Sequence, residues 1–211
     1  MYVPKHFDPA DVGWCHALMA RESFALLVTT GADGLPFATH LPLLLDADRG
    51  PQGTLVGHLA RANPHARLLA EGLPTLAVFQ GPHAYVSPGW YANHPSVPTW
   101  NYVAVHATGR PVLIEDPARV TALLARMVAT YEAGRAEAWR FDSLAEEYVA
   151  GMIRAIVAFE LPIERLEGKA KLSQNRAAED RAGTIRGLEA TADPLARATA
   201  ALMADRARAK S

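Results

Sequence analysis

Apolar positions along this chain follow two rhythms. Up to Ile114 they come mostly in short runs bounded by Gly, Pro, Asn and Asp, the signature of strands and turns; elsewhere they recur largely at the three-and-four spacing of a helix face. Asp8-Pro9 reads as the cap of a first helix carrying Val12, Leu18 and Met19. Ser23 to Thr30 is an apolar strand, and Gly31-Ala32-Asp33-Gly34 predicts a hairpin turn into Leu35 to Leu45. Pro42 within that second run suggests a sheet edge or a bulge, where backbone polar groups are left free. Thr54 to Leu59 is a further strand, followed by a helix that starts at Asn63-Pro64 and runs through Leu68 and Leu69 to Gly72. Thr75 to Gln80 and Ala84 to Ser87 read as two short strands joined at Gly81-Pro82. From Ser87 to Trp100, prolines forbid regular structure while large aromatics demand burial, so an ordered, packed loop is expected.

The second half continues with a long strand, Asn101 to Ile114, bent at Gly109 and Pro111. Asp116-Pro117 caps a helix whose Val120, Leu123, Leu124, Met127, Val128 and Tyr131 share one face, ending at Gly134. A shorter helix at Leu144 to Gly151 leads to a strand from Ile153 to Leu161, closed by Pro162. The tail from Ala177 is helical in composition, is broken near Asp193-Pro194, and ends in the alanine-rich segment Ala198 to Ala207. The pattern predicts an α+β protein, mostly β with peripheral helices, in which the strands form a largely antiparallel barrel. Residues 1–176 are expected to be one domain, with 177–211 a helical extension packed on it.

Composition narrows the classes. With 211 residues, half of them apolar, the chain can build a full hydrophobic core. A formal net charge of -1 argues against bulk electrostatic binding to nucleic acid, although a local basic patch stays open. The single cysteine, Cys15, excludes an intrachain disulfide framework and a cysteine-rich zinc site. Met1 to Phe7 carries no signal-type apolar region, and no apolar run approaches the ~20 residues of a membrane span. A cytoplasmic protein with no membrane partner is expected. No Walker loop, Gly-x-Gly-x-x-Gly, Gly-x-Ser-x-Gly or His-Glu-x-x-His is present, and the eight histidines fall at no spacing that names a metal site, so no metal is expected.

Three stretches carry candidate chemistry. At Gly57 to Ala66 a strand runs into a helix start, whose free amides and dipole attract anions, with Arg61 and His65 as flanking side-chain donors. An ordinary capped helix is the bland alternative. The segment Gly168 to Arg176 holds three cations and no acid. It reads as a solvated loop, a patch for nucleic-acid phosphate, or a binding loop for one small anion, the last favoured by the directional donors Ser173, Gln174 and Asn175. The aromatic loop with Trp90, Tyr91, Trp100 and Tyr102 is either core, subunit interface, or stacking surface for a planar heterocycle.

Several blocks together resemble a known family: Met1-Tyr2-x-Pro4-x-His6-Phe7, Ala38 to Pro42, Gly57-His58-x-Ala60-Arg61-Ala62-Asn63-Pro64, Tyr85-Val86-Ser87-Pro88-x-Trp90-Tyr91, Val97 to Tyr102 with His106 and Gly109, and Glu167-Gly168-Lys169-x-Lys171 to Arg176. They resemble, in family order, the PaiB-like family of FMN-binding negative transcriptional regulators. That resemblance implies a split β-barrel of the FMN-binding type, related to pyridoxamine-phosphate oxidases and small flavin reductases, and a homodimer with FMN at the subunit interface. It implies that His58, Ala60, Arg61 and Asn63 hold the phosphate and that Thr39, His40 and Leu41 lie along the flavin. Trp100, Asn101, Tyr102, Lys169, Lys171, Gln174 and Arg176 would complete the site, some from the second subunit. A flavin-dependent redox protein, served by a small-molecule electron donor or acceptor, is the leading expectation, with no catalytic side chain required. The alternative is a negative regulator that binds DNA or a partner, with FMN as signal or absent; no helix-turn-helix pattern supports direct DNA binding. Arg61 is expected to matter for the cofactor and little for folding.

Overall fold

The computed structural model describes residues 1–9 and 11–208. Helix α1 (Val12–Arg21) is capped by Asp11, whose Oδ1 accepts the Gly13 N–H at 2.8 Å, and not by the Asp8 that the sequence suggests. Strands β1 (Phe24–Thr30) and β2 (Pro36–Pro42) form the expected hairpin, in register from Phe24 opposite Pro42 to Thr30 opposite Pro36. The turn works because Gly34 takes a φ of 77°, which a side chain would strain. Pro42 marks an exchange of partners. It is the last residue paired with β1, and two residues on, β3 (Leu44–Asp46) pairs with β4 (Thr54–Ala60), Leu44 opposite Val56. Gly57 permits that crossing, since a Cβ there would lie 2.6 Å from Leu43 Cδ2.

After α2 (His65–Ala70) the chain forms β5 (Thr75–Val86), a single strand where two were expected. Gly81-Pro82 is not a turn. Both residues are buried, the inward–outward alternation shifts phase there, and a Cβ on Gly81 would come within 2.6 Å of Val103 Cγ2, so the glycine serves close packing. Strand β6 (Thr99–Gly109) breaks at Arg110-Pro111 into β7 (Val112–Ile114). Helix α3 (Pro117–Glu132) then starts where Asp116 Oδ1 accepts the Ala118 N–H at 2.9 Å. Its buried Val120, Leu123 and Met127 pack with Leu44, Val56, Ile114 and Ala158, as its periodicity requires.

Helix α4 (Glu146–Arg154) reaches further than expected, and β8 (Ile156–Lys171) runs straight through Pro162 for 16 residues. Proline is tolerated there because its side chain faces out, while the neighbouring Ile163 N–H finds Gly53 O at 3.0 Å. Helices α5 (Ala178–Glu189) and α6 (Pro194–Arg208) complete the chain, with the break at Asp193-Pro194 where the sequence puts it.

The strands hydrogen-bond in the order β2-β1-β5-β6-β8-β4-β3, with β7 beside β8. This is the mostly β architecture with peripheral helices that the hydrophobic pattern predicts. The chain divides into two compact units. One comprises Met1–Leu18, Gln80–Val105 and the chain from Glu167 onward; the other comprises Met19–Phe79 and His106–Leu166. The candidate residues fall into both.

Candidate functional site

In the second unit, the strand order among the described residues leaves one edge of β2 without a strand neighbour. Thr39 on it is half-buried, His40 is exposed and Leu41 is buried. The His40 ring stacks with Phe24 at 6.1 Å between centroids, 21° from parallel. Phe24 itself is 68% exposed, so this pair forms an open, flat, partly apolar face.

The end of β4 carries the next group. Nδ1 of His58 is buried and has no hydrogen-bond partner among the described residues, and burial pushes the imidazole's pKa down, keeping the ring neutral. Ala60, the last residue of β4, accepts the Asn63 N–H at 2.9 Å. Arg61 does structural work that its sequence context does not announce. Its Nε donates to Arg154 O and its Nη2 to Ile156 O, both at 2.8 Å, while its backbone N–H donates to Ala155 O at 2.8 Å. Three successive carbonyls at the α4–β8 junction are thereby served by one residue.

The helix start departs from expectation. Helix α2 spans six residues, His65–Ala70, instead of reaching from Asn63 to Gly72. The amides of Arg61, Asn63, His65, Ala66 and Arg67 are all committed to acceptors within the chain, so a seat of free amides is not built there. A helix this short also has little dipole to offer. Asn63 caps as predicted, its Oδ1 accepting the His65 N–H at 3.0 Å, and its Nδ2 donates to Thr39 Oγ1 at 3.2 Å. His65 is fully buried, with Nδ1 2.8 Å from Thr39 Oγ1 and Nε2 2.9 Å from Thr29 Oγ1, and so is not the anion donor its position suggested. The cationic side chain at this corner with donors to spare is Arg61, whose remaining N–H groups are uncommitted by those two bonds. Arg61 borders a cleft of about 210 Å³ lined by Leu113, Ile114, Val120 and Ile156. A second cleft of about 580 Å³ lies between the β1–β2 hairpin and α2, lined by Phe37, Pro64, Arg67 and Leu68.

In the first unit, Trp100 is 53% exposed and meets the rings of Tyr85 at 6.1 Å and His83 at 6.4 Å. The packed aromatic loop of the sequence reading is thus only half realised. Tyr91 is buried beneath the Arg176 guanidinium, 4.5 Å from its ring centroid, whereas Trp100 and Val97 face outward. Asn101 is fully buried, its amide committed to Ser173 Oγ at 2.9 Å and Met203 Sδ at 3.3 Å.

The basic segment is not a solvated loop. Lys169 is buried at the end of β8, donating to Tyr2 O at 2.9 Å, with its Nζ 5.5 Å from the Tyr2 ring and 5.3 Å from the Tyr102 ring. Gln174 braces its own turn by accepting the Leu172 N–H at 2.7 Å and donating to Ala170 O. Lys171 donates to Thr99 Oγ1 and to Trp100 O at 2.7 Å, and burial, aided by the nearby Lys169 charge, lowers its pKa. Lys171 and Arg176 are the half-buried cations that keep some access to solvent. Among the described residues no group of three or more His, Cys, Asp or Glu side chains is placed to hold a metal, and no helix is long and apolar enough to cross a membrane.

Solved structures show the class of fold. The flavocytochrome Anf3 from Azotobacter vinelandii superposes with a TM-score of 0.63 at 19% identity, covering 86% of this chain and 78% of that one. The FAD and heme binding protein from Mycobacterium smegmatis gives 0.58 at 20% identity, covering 81% and 76%. The fold is the split barrel of flavin- and heme-binding proteins. The family follows from sequence: residues 1–165 match the family described as "Putative FMN-binding domain", and the chain belongs to it. It is 35% identical over 206 residues, 98% of each chain, to the protease synthase and sporulation protein PAI 2 of Bacillus subtilis. An uncharacterized protein of Aspergillus fumigatus is 34% identical over 197 residues, covering 72% of this chain and 76% of that one. The PaiB-like resemblance read from the motifs holds, and FMN is the cofactor of this family.

Proposed function

We propose that the protein is an FMN-dependent redox protein acting as a homodimer. His58 carries the reading. A buried ring nitrogen without a partner costs about 1–3 kcal/mol, and here it sits on β4, two residues before the strand ends at Ala60 and leads into Arg61 and Asn63, in a chain of an FMN-binding family. A polar group of the cofactor would relieve that cost. FMN, when bound, supplies the electron transfer. The chain's part is to hold it: Arg61 offers its uncommitted N–H groups to the phosphate, Ala60 and Asn63 shape the same corner, and Thr39, His40 and Leu41 flank the flavin from the β2 edge. Trp100, Lys171 and Arg176, the accessible members of the other set, would come from a second subunit. Asn101, Tyr102, Lys169 and Gln174 would act by holding those three in place.

Titration of the purified protein with FMN should shift the flavin absorbance, at micromolar-range or tighter affinity, and a chemical reductant under anaerobic conditions should bleach the bound flavin reversibly. No absorbance shift on titration would sink the proposal.

A negative regulator is the second reading, favoured by the name of the Bacillus subtilis relative and by one surface. Helix α4 has no buried residue, and its Tyr148 and Met152 stand 58% and 47% exposed, with Trp139 before it at 47%. Such a face suits a protein partner better than DNA, since the formal net charge is -1. A sequence-specific gel shift surviving ~0.2 M salt would favour direct DNA binding instead.

A further inference from the structure

We infer that His65 is a positioning residue that makes Thr39 a hydrogen-bond acceptor, and not a donor, toward a cofactor group at the β2 edge. The inference rests on the reading of that edge as a wall of the FMN site. Its basis is a chain of buried hydrogen bonds whose polarity can be worked out from one end to the other.

Thr75 Oγ1 lies 3.0 Å from Leu73 O, and a carbonyl only accepts, so the Thr75 hydroxyl proton goes there. Thr29 Oγ1 lies 2.7 Å from Thr75 Oγ1, so Thr29 donates to Thr75. With its proton committed, Thr29 must accept from His65 Nε2 at 2.9 Å, which makes Nε2 the protonated nitrogen. The ring is fully buried, edge-on to Phe37, and burial pushes its pKa down, so it is neutral and Nδ1 is bare. Nδ1 therefore accepts, and the Thr39 hydroxyl donates to it at 2.8 Å.

Asn63 supplies the second contact to the same oxygen. Its Oδ1 must face the His65 N–H, which turns its Nδ2 toward Thr39 Oγ1 as a donor at 3.2 Å. Thr39 thus gives its proton to His65 and accepts one bond from Asn63. One lone pair is left on the oxygen of this half-buried residue, and no proton. The reverse polarity would abandon the Thr75 bond to Leu73 O and leave that hydroxyl proton pointing back along the chain. The consequence is chemical selectivity: a ligand N–H or O–H is favoured at Thr39, and a bare carbonyl or ring nitrogen is rejected.

Two measurements test this, the first without any ligand. In ¹⁵N-histidine-labelled protein at neutral pH, Nε2 of His65 should show a one-bond coupling to a proton and Nδ1 the shift of an unprotonated nitrogen. A proton on Nδ1 would overturn the polarity. The second is a double-substitution cycle read by FMN affinity. Thr39→Val should weaken FMN about tenfold, the worth of one hydrogen bond, and Thr39→Ser should restore it. His65→Phe should weaken FMN by a similar factor, and the double variant should be no weaker than either alone. Additive losses would make His65 a packing residue only and overturn the inference. Because His65→Phe also removes a buried polar network, the tautomer and the Thr39 pair keep the test decisive if that variant fails to fold. Should wild type bind no FMN at all, the cofactor reading falls and the selectivity inference with it, while the tautomer still settles the polarity.

Discussion

Replacing Arg61 by Ala should have two separable effects, where the sequence suggests one. Arg154 is the last residue of α4, so its carbonyl has no helical partner, and Ile156 opens β8. The Arg61 side chain serves both carbonyls at 2.8 Å. Arg61 is exposed, so water replaces what the alanine loses, and the net cost is that of two solvent-screened hydrogen bonds, about 1–2 kcal/mol in all. In a chain of this size each kcal/mol shifts the thermal midpoint by ~2–4 °C, so a fall of several degrees is expected by calorimetry. A charge-assisted bond to phosphate adds ~1.5–3 kcal/mol to FMN binding. FMN affinity should therefore drop by roughly ten- to a hundredfold, while riboflavin, which lacks the phosphate, should bind as before. Arg61→Lys keeps the charge but cannot span two carbonyls, and should recover part of the FMN affinity without the midpoint. An unchanged midpoint would refute the bracing role, and equal losses for FMN and riboflavin would refute the phosphate contact.

Other outcomes follow from the same structure. Burial lowers the pKa of His58 and His65, so as pH falls through the ordinary histidine value of ~6.5 the unfolded chain takes up protons that the folded chain refuses; the midpoint should drop between pH 7.5 and 5. His58→Gln should flatten part of that slope, and a slope identical to wild type would exclude His58 as its source. A Cβ on Gly187 of α5 would stand 2.3 Å from Trp90 Cδ2; Gly187→Ala should therefore destabilise by ~1–3 kcal/mol in spite of better helix propensity, and a raised midpoint would contradict that packing. If the cofactor site is shared in a two-fold dimer, a mixture of Arg61→Ala and Lys171→Ala chains should regain roughly a quarter of full FMN sites through heterodimers. No recovery in a mixture that sediments as dimers would refute sharing.

Legibility in the sequence varied with the kind of signal. Helix α3 was readable because its cap, its periodicity and its terminating glycine agree, and each is local. The β1–β2 hairpin was readable for the same reason. Gly81-Pro82 and Pro162 misled, since both are punctuation marks locally and packing residues in the sheet. Gly81 is explained by Val103 in another strand and Leu18 in α1, and Pro162 by its outward side chain and its pairing opposite Thr54. For His65 the sequence suggests the correct element, α2, and the wrong duty. The missing signal was a pair of threonines, Thr29 and Thr75, inside apolar runs, where a hydroxyl must find a buried partner. Nothing in the sequence says that Thr39 supplies the third.

The polar residues that carry the family likeness divide by what their donors already do. Asn101, Lys169 and Gln174 have side chains directed at backbone carbonyls or amides, a serine, a sulfur or aromatic rings of their own unit. A buried polar group in such a bond is costly to redirect toward a ligand, because the carbonyl it leaves is then unpaired as well. These three are therefore poor candidates for direct contact, however well their positions match a motif. His40, His58, Trp100 and the residual donors of Arg61, Lys171 and Arg176 have the opposite standing: open faces, an unpartnered ring nitrogen, or N–H groups left over. Substitutions in the first group should lower the thermal midpoint and FMN affinity together. In the second group, His40→Ala and Trp100→Ala should lower FMN affinity with the midpoint held. If Trp100→Ala lowered the midpoint as far as Asn101→Ala does, that division between bracing and binding residues would be wrong.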